Sequence, residues 1–484
     1  MNSRREFLKR ALGSSVVLLA AACGTSSQPA ASTSPPAAAA KPTEAPAAKP
    51  TAAAGAPTAP PAAAAAPKPT EAAAKPAAAP ANISGATVSL LQWNHFIPTA
   101  DPFFKQQAED WAKQTGVNVS VETINANDLV PRFTAALQGQ SGPTIFQMQH
   151  LQPYTFAEGL QDLSDLAKEF EPKYGKYYDQ VNQSGQVDGK YRGIPYNIVG
   201  NAFVYRKSMF DKAGVKAPTT WDEFRAAGKA LKAMGKPIGQ TFGQTFGDAP
   251  SFFYPLLWAY GGKELQDDNK TVAINSKETI DVVKFAADTW KDGLDERGLS
   301  WDDNNNNAAF LAEELSCTLN GASIFFVGAG LDGKTPAKEW AADMDHFLPP
   351  KGPAGQFAWF LAFTHGIPTY VKGKDGDASK EFLRYIYDPK QYDAWFEQNK
   401  GYSVGPGDRM EQSKMWDSLP PPLAPFRTAG KVGRALGYSG KPSPKVQEVL
   451  SKYVIVNMFA RAVQGTSAEE SVKQAETEMK QIFS

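Results

Sequence analysis

The sequence predicts an α/β fold in two lobes joined by crossing strands, and three observations predict it. Residues 87–148 read as strand, helix, strand, helix, strand, which forces parallel pairing because short crossovers are helical and right-handed. Residues 188–205 are too rich in β-branched and aromatic side chains to be anything but extended, yet they carry glycines and Pro195, which let a strand bend. The foldable part spans roughly 400 residues, ordinarily two domains.

The chain of 484 residues has a strongly biased beginning. Residues 1–23 carry a basic start, an apolar stretch from Ala11 to Ala22 and small residues before Cys23, the layout of a secretory signal too short to span a bilayer. Ser3-Arg4-Arg5-Glu6-Phe7-Leu8-Lys9 resembles the twin-arginine motif, which implies export of a folded protein. Leu19-Ala20-Ala21-Ala22-Cys23 resembles a bacterial lipobox, in which the Cys becomes a lipid-modified N-terminus; Ala20 stands where a bulky residue is usual, and a plain cleaved signal is the other reading. Residues 24–82 are Ala/Pro-rich with almost no branched or aromatic side chain, so they bury too little to offset chain entropy and read as a disordered tether. The localisation expected is outside the cytoplasm, at the cell surface or in the periplasm, anchored to the membrane through Cys23.

Charge excludes one partner class. Of 50 basic and 50 acidic residues, 8 and 3 precede Asn82, which leaves the folded part at about −5, with no electrostatic footprint for nucleic acid. Cys23 and Cys317 are the only cysteines, and no disulfide between a targeting segment and a core is expected.

The elements follow in order. A strand is expected at 87–93 and a helix at 101–116, with Phe104, Ala108, Trp111 and Ala112 on one face. A strand at 117–122, a helix at 128–137 and a strand at 144–148 come next. Ligands in such sheets bind beyond the carboxyl ends of the strands, here the loops starting at Trp93-Asn94-His95 and Gln147-Met148-Gln149-His150. Asp188-Gly189 is a hairpin turn, and the strand after it is the expected hinge, with Tyr196 and Asn197 facing the gap between two separate cores. Thr220-Trp221-Asp222-Glu223 is a capping box that opens a helix. A further helix is expected at 276–291, with Trp290 in the core, and another at 308–319 after the polar loop 302–307. Strands are expected at 323–327 and 357–365. Second and third crossings are expected at 357–363 and 401–406, and helices at 378–387, 391–398, 445–463 and 468–482.

Asp188-Gly189-Lys190 through Gly193-Ile194-Pro195-Tyr196, Val204 to Phe210, Pro218 to Phe224, Trp258 to Gly262, Leu319-Asn320-Gly321-Ala322, Gly401-Tyr402-Ser403-Val404 and Gln464 to Glu470 stand in an order and spacing that resemble the family 1 extracellular solute-binding proteins. Two positions depart from the family: Pro143-Thr144 where Pro-Asp is usual, and Tyr205-Arg206-Lys207 where Tyr-Asn-Lys is frequent. The resemblance implies a periplasmic-binding-protein-like fold of type II: lobe one at 83–200 and 361–405, lobe two at 201–360 and 406–484, with a ligand cleft between them. It further implies a monomeric, non-enzymatic receptor that hands a neutral carbohydrate or polyol to an ABC permease, with no cofactor and no metal. An anionic solute such as a glycerol phosphate, and a sensor or scaffold without transport, remain the alternatives.

A sugar needs rings for its C–H face and amides or acids for its hydroxyl rim. Trp93, Tyr196, Trp258, Tyr260 and Trp359 fall at expected loop or strand ends, and Asn94, Gln147, Gln149, Asn197 and Asn307 lie beside such ends. Each ring could equally pack in a core. His95 and His150 could share a metal or serve as polar cleft residues, and Asn304 to Asn307 could present amides or form a solvated turn. Asp302-Asp303 and Glu313-Glu314 are adjacent acids, which do not by themselves bracket a glycosidic bond. On the anchor, Cys23→Ser is expected to release the protein from membranes; unchanged membrane fractionation would refute lipidation.

Overall fold

The computed structural model describes residues 82–484, apart from Phe246 and residues 438–440. The twin-arginine and lipobox readings, Cys23 and the Ala/Pro-rich stretch to residue 81 lie outside the described residues. β1 (Thr87–Trp93), β2 (Asn118–Ile124) and β3 (Ile145–Gln149) pair in parallel in the order β2-β1-β3, with helices Ala100–Thr115 and Ala126–Gly139 as the crossovers. Asp188-Gly189 joins β4 (Gln186–Val187) to β5 (Lys190–Tyr191) as a two-residue hairpin with both turn residues at positive φ, 48° and 77°.

β6 (Ile194–Val199) lies at the edge of the first sheet, where Pro195 removes no donor that the sheet needs. The chain then leaves that sheet. Gly200 and Asn201 alone separate β6 from β7 (Ala202–Arg206), which belongs to a second sheet. A Cβ at Gly200 would meet Val404 Cγ2 at 2.8 Å and Phe426 Cδ1 at 3.1 Å, so only glycine fits the crossing without displacement. The bend therefore sits five residues beyond Pro195, and Tyr196 and Asn197 are buried inside β6 instead of facing a gap.

The second sheet is completed by β8 (Ile238–Gly239), β9 (Cys317–Asn320) and β10 (Met344–Phe347) in the order β10-β7-β9-β8. From β10 the chain recrosses through residues 348–360 to β11 (Leu361–Gly366), which inserts antiparallel between β3 and β6. Its register with β6 shifts between Phe363 and Thr364, so Tyr196 is the bulged residue. The stretch 401–406 does not carry the chain away at once: Val404 N–H donates to Ile198 O at 2.9 Å, and Lys176 N–H still meets Asp408 at 3.0 Å. Contact with the second sheet follows later, where Pro422 O lies 2.9 Å from His346 Nδ1.

Three elements differ from expectation. Residues 308–319 are not one helix: Asn305–Leu311 is helical, Glu313 turns the chain at φ 61°, and β9 takes Cys317 into the sheet as a buried free thiol. Ser323–Gly328 is a helix instead of a strand, since a short apolar run is ambiguous between the two periods. The expected helix 445–463 is two, Pro444–Ser451 and Val454–Val463, broken at Tyr453 with φ 54°. The apolar cores are not divided sheet by sheet either. One apolar cluster runs from Leu90 and Phe146 under the first sheet to Val204, Phe325 and Met344 on one face of the second. The other, around Phe203, Trp221, Leu257 and Phe459, covers the second sheet's opposite face.

Trp111 and Trp290 are buried, as helix periodicity requires. Thr220 accepts from Glu223 N–H at 3.2 Å while the Glu223 carboxylate takes Thr220 N–H at 3.2 Å, closing the capping box of helix Trp221–Ala233. That helix meets Lys277–Gly293 so closely that a Cβ on Gly228 would lie 3.2 Å from Gly293 Cα. Thr220→Ala is expected to cost about 1 kcal/mol in urea unfolding; an unchanged midpoint would mean the box holds nothing.

Candidate functional site

The sheets meet around a cavity of about 400 Å³. From the first sheet come the ends of the parallel strands: Trp93 closes β1 with Asn94 and Phe96 after it, and Asn125 and Ala126 follow β2. The crossings supply Val199, Asn201 and Leu361. From the second sheet come Asn320 at the end of β9 and Gly321 after it, Gly247 and Asp248 at the start of helix Asp248–Ala259, and the loop Asp302 to Asn304 with Asn307. Tyr402 and Tyr453 complete the wall.

Packing holds the rings. Trp93 stacks on Phe363 at 5.3 Å and takes the edge of Phe96 at 5.5 Å, leaving Phe96 49% exposed beside the cavity. Tyr402 rests on Gly321, where a Cβ would come within 3.0 Å of the ring, so that glycine makes room for the phenol. Tyr453 enters from a left-handed backbone position that a bulky residue adopts only under tertiary constraint.

The polar rim is a connected network. Asp248 Oδ2 accepts from Asn306 Nδ2 at 2.7 Å and Asn320 Nδ2 at 3.2 Å, and Asn320 Nδ2 also donates to Asn307 Oδ1 at 2.6 Å. Asp303 caps the helix at Asp248 from the opposite loop, accepting the N–H groups of Gly247 and Asp248 at 3.0 Å each. Burial, then the charge of Asp303, drive the Asp248 carboxyl well above the usual range, against the donors Asn306 and Asn320. Among the described residues no Lys, Arg or His lines the cavity.

Of the residues singled out from sequence, the structure brings Trp93, Asn94 and Asn307 together at this cavity, and seven lie elsewhere. Gln147 and Gln149 are buried in β3 in mid-sheet, where Gln147 Oε1 accepts Trp93 N–H and Gln149 N–H donates to the Gln152 side chain. Tyr196 packs among His365, Tyr387, Tyr392 and Trp395, and Asn197 donates to Ser403 Oγ at 3.0 Å. Trp258 is fully buried with its indole N–H on Glu264 at 2.9 Å. Tyr260 leans on Phe285, and Trp359 stacks on His150 with Tyr254 tilted against it. His95 is tied to Asp101 at 2.6 Å, so neither histidine stands free to chelate, and no group of three metal-binding side chains exists among the described residues. Sequence reasoning missed Phe96, Asp248, Asp303, Asn320, Tyr402 and Tyr453. Asn320 and Tyr402 lay inside motifs already noticed, whereas Asp248 and Tyr453 had no local signal.

Comparison with known proteins agrees with this architecture. The family model of bacterial extracellular solute-binding proteins matches residues 106–420. The diacetylchitobiose binding protein DasA of Streptomyces coelicolor is 26% identical over 291 residues, covering 58% of this chain and 65% of that protein, just under two thirds of its length. Among solved structures, maltose-bound MalE3 of T. maritima superposes with a TM-score of 0.68 at 18% identity, over 82% of this chain and 100% of that one. An ABC transporter solute-binding protein of Thermotoga lettingae with bound α-D-tagatose gives 0.66 at 19%, over 83% and 100%.

Trp258→Phe keeps a ring but strands the buried Glu264 carboxyl without its indole donor. It should destabilise the fold by about 1–3 kcal/mol in chemical denaturation; a variant as stable as the parent would show that this contact ties nothing down.

Proposed function

Because the chain belongs to the bacterial extracellular solute-binding proteins, which bind solutes and are not enzymes, we propose that its cavity captures a carbohydrate or polyol for delivery to the membrane permease of an ABC importer. One observation carries the reading: a cavity between the two sheets walled by Trp93, Phe96, Tyr402 and Tyr453, rimmed by the amides of Asn94, Asn125, Asn201, Asn307 and Asn320, and lined by no basic side chain among the described residues. Rings suit a sugar's C–H face and amides suit its hydroxyls. An anionic solute would need convergent Arg or Lys, which the lining lacks. The sugars named for the maltose- and tagatose-bound relatives, and the ABC transporter description of the latter, support the same class.

The two lobes would carry the two sheets, and the strand pair β6–β7 would bend between them. A solute touching Trp93 on one side and Asp248 or Asn320 on the other gains contacts only when the lobes close, so its differential affinity shifts the population to the shut form. Lipidation at Cys23 would keep this capture beside the permease.

A thermal-shift screen against sugars and polyols tests the reading. A true ligand raises the melting temperature by about RT ln(1 + [L]/Kd) of added stability. Phe96→Ala, which truncates an exposed ring, should leave the unliganded melting temperature nearly unchanged and cut that rise. A variant that responds in full would remove Phe96 from the site.

A further inference from the structure

The cavity has its aromatic walls and amide rim whatever enters it; its carboxylates decide the charge of the occupant. Three acids, Asp248, Asp302 and Asp303, line it, and among the described residues none of them is ion-paired. Of the three only Asp248 is buried, and two of the other buried acids are neutralised by cations: Asp295 by Arg297 at 2.6 Å and Glu411 by Lys431 at 2.7 Å. Glu264 is instead held by the Trp258 indole N–H.

Resting on the carbohydrate reading, we propose that the sugar or polyol bound here carries a protonated amine, which Asp248 and Asp303 receive as the missing counter-ion with Tyr402 beside them. A hydroxyl rim alone would be served by the amides already present. A carboxylate also accepts hydroxyls, but here a second carboxylate sits on its own backbone N–H, and hydroxyls leave that concentrated negative charge unbalanced. An ammonium balances it. It forms charge-assisted hydrogen bonds with the carboxylates and is attracted by aromatic faces, and rings of Trp93, Phe96, Tyr402 and Tyr453 line the same cavity.

Protons are conserved in a way that can be measured. The groups acting on Asp248 are Asp303 and Asp302, which raise its affinity for a proton, and Asn306 and Asn320, which lower it; burial is the largest contribution and also raises it. Tyr402 senses the Asp248 and Asp303 charges and is itself held neutral by burial. An ammonium docking beside Asp248 counters the upward shift that burial and Asp303 impose, so any proton the carboxyl holds in the empty cavity passes to buffer. A neutral sugar displaces none.

The test pairs amines with neutral twins on the mature chain in EDTA: D-glucosamine against D-glucose and N-acetyl-D-glucosamine, and an amino-alditol against its parent alditol. Titration calorimetry near pH 6 should favour the amine by at least about tenfold in Kd. The observed heat should also vary with the ionisation enthalpy of the buffer. Asp248→Asn should abolish both the preference and the proton release. Equal or tighter binding of the neutral twins, or an amine preference that survives Asp248→Asn, overturns this inference and leaves the carbohydrate reading intact. Silence from every sugar and polyol overturns both.

Discussion

Much in this fold depends on the close approach of backbone to side chain at Gly200. β6 ends as the edge of one sheet and β7 begins inside another, with two residues to turn in. Val404 and Phe426 press on the turn from the C-terminal part of the chain, leaving no volume for a Cβ. That contact keeps the return segment beside β6, where Val404 N–H donates to Ile198 O, and so holds Tyr402 over Gly321 at the mouth of β9. A larger residue at 200 would push Val404 and Phe426 outward and move the wall of the cavity with them.

The position of the cavity follows from the sheets. Parallel strands β1 and β2 end at the same level, and β9 ends opposite them, so loops from both sheets converge where backbone pairing stops. Backbone groups freed there need partners, and short polar side chains supply them: Asp303 caps the helix at Asp248, and Asn306, Asn307 and Asn320 tie the loop 302–307 to β9. The same side chains that settle local backbone needs give the cavity its amide rim. Its acidity has a related origin, since the helix N-terminus that favours Asp303 also sets Asp248 within reach of a second negative charge.

Four of the seven residues that fall away from the cavity, Gln147, Gln149, Tyr196 and Asn197, share one physical cause. Strand alternation says that neighbours face opposite sides but not which side is wet, and in a sheet covered on both faces each side is core. Gln147 and Gln149 stand in a central strand, and Tyr196 joins a cluster of rings under β6. Trp258 and Trp359 sit at ends of apolar runs that continue into packing instead of opening to solvent. Trp93 and Asn94 were legible because they terminate a strand whose parallel partners were legible too.

Local pattern was enough for elements whose signals are contained within a few residues: the parallel unit β1–β3, the Asp188-Gly189 turn, the Thr220 capping box and the helices Gly373–Ile386, Pro389–Gln398 and Ala468–Phe483. These depend on periodicity, turn stereochemistry and side-chain-to-backbone bonds that need no distant partner. Ordered motifs along the chain were likewise enough for the family. Long-range packing alone decided that residues 317–320 pair as a strand, that Tyr453 breaks a helix at positive φ, and that Asp248, Tyr402 and Trp93 share one cavity. Those outcomes depend on groups tens to hundreds of residues apart competing for the same volume, and no window of sequence contains both competitors.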